Sequence, residues 1–247
     1  MEYTLCTGVE RPDMFEIQAE VDWPEFIIHD LVNLRYWESL FDKFPVYQFA
    51  LFDKGEMVGC ANSIPLSMDL NAMDFNDRGW DWALEKGFED LASGKVPTVL
   101  CGLQIGINNK YKGKGISSLL IEEMRNIAIR NEYRFLILPI RPTLKQKYPL
   151  QDMSDYIRWT NKEGMPYDPW IRAHVKYGAE IISICERAMY IPGTVAEWES
   201  WTGMSFQSSG NYIVPGALSP VVVSLEEDRV EYFEPNVWVA HKVESLR

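Results

Sequence analysis

The stretch that most restricts the fold of this chain is Cys101–Arg130, CGLQIGINNKYKGKGISSLLIEEMRNIAIR. It begins with Leu103, Ile105 and Ile107 on one face and Gln104 and Gly106 between them, the two-residue period of a strand. A turn-rich run from Asn108 to Gly115 follows. Ile116, Leu120, Met124 and Ile127 then recur at 3.6-residue spacing, the pattern of an amphipathic helix. Strand, glycine loop and helix start together predict an anion site. Unpaired N–H groups at a helix start converge on one point, and the helix dipole favours negative charge there. Gly113 and Gly115 let that backbone approach a phosphate with no Cβ in the way. Lys110, Lys112 and Lys114 add local positive charge to a chain whose formal net charge is -12.

The loop does not fit the commonest phosphate motifs. No window reads Gly-x-x-x-x-Gly-Lys-Ser/Thr, and Ser118 stands where a dinucleotide fold would place its third glycine. The run Lys110-Tyr111-Lys112-Gly113-Lys114-Gly115 resembles the acyl-CoA loop of the GNAT acyltransferase superfamily, Arg/Gln-x-x-Gly-x-Gly/Ala, with Lys in place of the usual Arg or Gln. That loop works mainly through backbone N–H groups, so the exchange costs little. The same residues also suit a lysine-rich surface turn. The resemblance implies one α/β domain over residues 1–247: a mixed, twisted sheet with helices on both faces, splayed at its fourth and fifth strands into an acyl-CoA cleft. It implies coenzyme A or acetyl-CoA as co-substrate and no metal. Coenzyme A would lie along Gln104, Ile105 and Ile107 and across Lys110, Tyr111, Lys112, Gly113, Lys114, Gly115, Ile116 and Ser117.

The remaining chain is compatible with that frame. Asp22 and Pro24 predict the start of a helix over 23–44, and runs at 47–52 and 57–66 around Asp53-Lys54-Gly55-Glu56 predict a hairpin. A first strand is expected at Glu2–Gly8, an inserted helix within 67–97, and a fifth strand over 134–140. Asp168-Pro169-Trp170 opens a helix that ends at Gly178, and a strand follows over 179–190. Residues 191–230 form an aromatic-rich insertion, and a last strand over 230–243 breaks at Pro235. At -12 the charge argues against nucleic acid as a partner. No run is long and apolar enough for a membrane span. Four scattered cysteines and three scattered histidines show neither a disulfide frame nor metal-ligand spacing, which points to the cytoplasm.

Acyl transfer needs a proton acceptor for the nucleophile, a donor for the thioester oxygen and an acid for the leaving thiolate. Residues 98–107 hold no Asp or Glu, which counts against a simple amine acetyltransferase with its base on the fourth strand. By alignment to the family, His174 occupies the place of the thiolate's acid, four residues before Gly178. Thr143 past the fifth strand, together with His174, resembles the GNAT-like loading domains of polyketide synthases. Those domains decarboxylate malonyl-CoA and load a carrier-protein thiol. Arg141 or Arg172 would then hold the leaving carboxylate. By residue type alone, Thr143 also suits a turn cap, His174 an amphipathic helix, and Arg141, Lys145 and Lys147 a solvated basic loop. The expected activity is acyl-CoA-dependent acyl transfer to a small amine or a carrier-protein thiol. A malonyl-type decarboxylase, a non-catalytic CoA-binding module and a homodimer stay open.

Overall fold

The computed structural model describes residues 3–18, 21, 23–72 and 74–243. The chain begins with a short strand β1 (Thr4–Thr7) and helix α1 (Met14–Gln18). The helix predicted over 23–44 divides in two. Glu25–His29 forms a 3₁₀ helix, and Asp30 is extended and restarts the chain as the cap of α2 (Leu31–Lys43), accepting from Asn33 N at 2.8 Å. Asp22, the expected cap, lies outside the described residues, as does Glu2 at the start of the expected first strand.

Strands β2 (Gln48–Asp53) and β3 (Glu56–Leu66) are joined by Lys54 and Gly55, both at positive φ, the two-residue turn whose twist suits a hairpin. Helix α3 (Gly79–Ala92) precedes β4 (Val99–Ile107), and α4 (Ile116–Arg130) links β4 to its parallel neighbour β5 (Phe135–Ile140). The chain continues through α5 (Met153–Tyr156), α6 (Pro169–Lys176), β6 (Ala179–Gly193), α7 (Val195–Thr202), β7 (Gly210–Tyr212), β8 (Val221–Ser224) and β9 (Arg229–Lys242). The strands form one mixed sheet in the order β1-β2-β3-β4-β5-β9-β8-β7, with β6 also paired to β9. Two apolar layers flank it. One gathers side chains of α2, α3 and α7, the other those of α4, α5 and α6. No helix of the described residues is long and apolar enough to cross a membrane.

One expectation changes. The last strand does not break at Pro235. Glu234 pairs with Met189 and Asn236 with Cys185, so residues 186–188 bulge out opposite a proline that has no N–H to offer. The segment 191–230 is tied to the 3₁₀ helix by its aromatics. Trp198 is fully buried and stacks on Phe26 at 5.4 Å between centroids, and Trp201 stacks on His29 at 4.1 Å.

Helix α6 is pinned to the sheet by a buried imidazole pair. His174 Nδ1 lies 3.0 Å from His241 Nε2 on β9. Burial first, and then His241, lowers the His174 pKa to about 3; burial first, and then Arg125, lowers that of His241 to about 4. Both rings are neutral at pH 7. Between pH 6.5 and 4 the unfolded chain binds protons that the folded chain refuses, so stability falls as pH falls through that window. The pair should make the parent roughly 3 kcal/mol less stable at pH 5.5 than at pH 7.5. Urea denaturation should show that difference shrinking in the double variant His174→Leu/His241→Leu. An equal pH dependence in both proteins would contradict it.

Helix α3 approaches β3 closely enough to exclude a methyl group. A Cβ at Gly87 would stand 2.2 Å from Ile64 Cδ1. Ala usually gains about 1 kcal/mol over Gly inside a helix. Here Gly87→Ala should instead cost about 1–3 kcal/mol in chemical denaturation, and Ile64→Val should recover part of it. A stabilised Gly87→Ala protein would show that the two elements pack more loosely than described.

Candidate active site

The site begins with an extra residue in β4. Asn62 pairs with Gln104 and Ser63 with Gly102, so Leu103 has no partner on β3 and forms a β-bulge. Its carbonyl accepts instead from the Trp80 indole Nε1 on α3 at 2.9 Å. The parallel ladder between β4 and β5 stops just before this point, after Leu100–Leu136 and Cys101–Ile137. Beyond it the two strands part, and a cleft of about 710 Å³ opens between Gly102–Ile107 and Leu138–Arg141.

One end of the cleft is the glycine loop. Gly113 and Gly115 have φ of 78° and 79°, the left-handed conformation that glycine adopts without strain. Gly115 caps α4, and the N–H groups of Gly113, Gly115, Ile116 and Ser117 meet no acceptor among the described residues. Four donors at one helix start form a ready anion cradle. Of the residues expected to hold coenzyme A, Gln104, Ile105, Ile107, Lys112, Gly113 and Ser117 line the cleft. Lys110, Tyr111, Lys114, Gly115 and Ile116 are not part of its lining. Lys110 pairs with Glu56, and Lys114 lies 4.7 Å over the Tyr111 ring. Tyr111 and Ile116 are buried in the layer beneath α4.

The wall on the β5 side is built around Glu234 of β9, fully buried and paired with Arg141 just past the end of β5. Arg141 donates through Nε and Nη2 to the two carboxylate oxygens and through Nη2 to the Gly216 carbonyl. Tyr232 donates its hydroxyl to Glu234 Oε2 at 2.7 Å. Asn236, two residues along the same strand face, donates Nδ2 to the Pro139 carbonyl at 3.3 Å. Trp23, Pro24, Trp37 and Trp80 also line the cleft.

Thr143 is exposed and lines the cleft beside Arg141. Its loop is held by Asp168, whose Oδ1 accepts from Trp170 N and Ile171 N and whose Oδ2 accepts from Leu144 N and the Tyr156 hydroxyl. Lys145, next to Leu144 on a loop of basic residues, is buried. Its Nζ donates to the Leu218 and Tyr148 carbonyls, and burial lowers its pKa. His174 is not brought to the cleft surface. Trp170 and Ala173 line the cleft from α6, while His174 packs behind the Trp170 edge at 4.5 Å and faces His241. Arg172 turns to the Pro166 and Tyr167 carbonyls.

Nothing in the local sequence marks Glu234, Asn236, Trp23 or Trp80 as site residues. The available signal is the two-residue alternation of Tyr232, Glu234, Asn236 and Trp238 along the last strand. Among the described residues no group of three or more His, Cys, Asp or Glu side chains is placed to hold a metal ion.

No protein-family model matches the chain. An arginine N-acetyltransferase of Aspergillus versicolor, avaD, is 30% identical over an alignment of 275 residues that spans 98% of this chain and 94% of that protein. Among solved structures, the loading GNATL domain of CurA from Lyngbya majuscula superposes with a TM-score of 0.64 at 17% identity, covering 98% of each chain. The GphF GNAT-like decarboxylase in complex with isobutyryl-CoA gives 0.57 at 15% identity, covering 99% of this chain and all of that one. The two structures share the fold with this protein, and the curated relative extends the likeness to sequence along nearly the whole chain. With a parallel pair that parts at a bulge and a glycine-loop helix start beside it, the chain belongs to the GNAT superfamily and is an acyl-CoA-dependent acyltransferase.

Proposed function

We propose that this enzyme transfers an acetyl or similarly small acyl group from coenzyme A to a small amine. The observation that carries the reading is the alignment of the β4–β5 parting with the four unpartnered N–H groups of the glycine loop. The pyrophosphate rests on Gly113, Gly115, Ile116 and Ser117, with Lys112 beside it. The pantetheine arm runs between Gln104–Ile107 and Leu138–Ile140, where β4 has lost its parallel neighbour. This brings the thioester towards Arg141, Thr143 and Asn236.

The amine nitrogen attacks the thioester carbon, a C–N bond forms and the C–S bond breaks. The proton that nitrogen gives up balances the one the thiolate gains. Thr143 supplies a hydroxyl donor for the oxygen that becomes negative during attack. Glu234 is the one carboxylate that lines the cleft among the described residues, and it stands in for the acid absent from β4 as the local negative charge. His174 acts on the cleft through Trp170, against which it packs. Because the relative is named for arginine, and tryptophans wall the acceptor end, an arginine-like amine is the first acceptor to try.

Calorimetry on Gly113 variants tests the cradle. Gly113→Asp should lower coenzyme A affinity about tenfold or more, whereas Gly113→Asn, which tolerates positive φ and adds no charge, should lower it less. Unchanged affinity in Gly113→Asp would remove the phosphate from this loop. Mass spectrometry then separates the chemistries. Acetyl-CoA should be consumed when arginine is present, and malonyl-CoA should survive without an acceptor. Catalytic conversion of malonyl-CoA to acetyl-CoA alone would replace the proposal with decarboxylation.

A further inference from the structure

We infer that the acceptor is held by two groups, the Asn236 amide oxygen and the Trp23 indole N–H, and that it therefore carries a carbonyl-type oxygen as well as its nucleophilic nitrogen. This rests on the amine-acceptor reading above and narrows it to amino acids and their derivatives.

The argument starts from hydrogen bonds that the folded chain leaves unmade. Buried polar atoms are normally paired, and each one left alone lowers stability unless something else satisfies it. Among the described residues ten buried side-chain polar atoms have no hydrogen-bond partner, and two of them belong to residues that line the cleft. These are Asn236 Oδ1 and Trp23 Nε1. Asn236 is 2% exposed, and its Nδ2 is committed to the Pro139 carbonyl. That bond fixes the amide, because a carbonyl can only accept, so the free atom is the oxygen. Trp23 Nε1 is a donor with no capacity to accept.

The two orphans have opposite polarity. A ligand that satisfies both must bring an N–H to Asn236 and an oxygen lone pair to Trp23. The nitrogen to be acylated supplies the first. A simple alkylamine has nothing for the second, whereas a carboxylate or amide carbonyl does. Arg141 favours an oxygen in the same region. It uses Nε and Nη2 on Glu234 and the Gly216 carbonyl, while its Nη1 has no partner among the described residues and the side chain lines the cleft. Glu234, which Arg141 neutralises, lies two residues from Asn236 on β9, so the nitrogen site and the free Arg141 donor are neighbours.

Arginine and agmatine make the test, because agmatine keeps the amine and the guanidinium but lacks the carboxylate. Steady-state kinetics with acetyl-CoA would be run for both amines on the parent, Trp23→Phe and Asn236→Leu. Trp23→Phe deletes the N–H and keeps an aromatic wall. It should raise KM for arginine about tenfold, leave KM for agmatine and acetyl-CoA within about twofold, and not lower the melting temperature. Asn236→Leu should raise KM for both amines about tenfold with KM for acetyl-CoA unchanged. If Asn236→Leu does not fold, Asn236→Ser takes its place with the same expectation. Parental KM values for arginine in both variants, or an equal loss for arginine and agmatine in Trp23→Phe, would overturn the inference while leaving acyl transfer intact. A parent that binds coenzyme A and acylates neither amine would overturn the amine-acceptor reading and this inference with it.

Discussion

The hydrogen bond from the Trp80 indole to the Leu103 carbonyl decides where the sheet opens. A parallel pair of buried strands has every reason to continue, since each rung satisfies backbone groups that cannot reach water. The ladder can stop only if something else takes the carbonyl that β5 would have left bare. The bulge at Leu103 throws β4 out of register, and α3 delivers an indole N–H to that carbonyl. Gly87 matters for the same reason, because it lets α3 sit against Ile64 of β3 at the depth the indole needs. The helix between β3 and β4 therefore holds the cleft open as well as covering the sheet.

The far end of the cleft depends on a buried charge. Glu234 is fully enclosed, and among the described residues Arg141 and Tyr232 compensate its charge. Such a pair adds little net stability, but losing one partner strands the other in a medium that solvates it poorly. Both partners also reach into the aromatic insertion. Arg141 donates to the Gly216 carbonyl, and the Tyr232 hydroxyl accepts from Leu218 N at 2.8 Å. One carboxylate thus fixes β5, β9 and the 216–218 loop relative to one another. That explains why a segment rich in tryptophan and tyrosine is ordered here: its aromatics fill the layer, and the ion pair sets its position.

What the sequence discloses follows from the range of each interaction. The strand, glycine loop and helix at 101–130 are visible because their periods and their positive-φ glycines lie within one short window. The cap at Asp168 is visible for the same reason, though its second oxygen, bound to Leu144 N and Tyr156, is not. Glu234 and Asn236 were hidden because Pro235 reads as a strand break. Only the bulge at 186–188, on another strand, lets β9 run through it. Lys145 sits among basic loop residues and reads as solvated, yet distant carbonyls, above all Leu218, receive its ammonium. The family alignment located His174 by its distance from Gly178, but His241 turns that ring inward. Local pattern fixed the element; long-range packing fixed which way its side chain points.

The absence of a carboxylate from β4 then changes what the cleft has to accomplish. Glu234 already accepts from Arg141 through both oxygens and from Tyr232 through one, which leaves it little capacity to take a proton from an incoming amine directly. On the proposed chemistry the amine enters already neutral or gives its proton to water, and the enzyme's contribution lies in alignment and in stabilising the developing oxyanion. Orientation alone is worth several powers of ten when the reacting atoms are held near contact. The charge layout supports that division of labour. Lysines and free N–H groups gather at the glycine loop, where an anionic nucleotide would rest, while the remainder of a chain of net charge -12 attracts cationic amines from solution. On that proposal the two substrates are drawn by opposite fields to one cleft, and their reactive atoms would meet where β4 parts from β5.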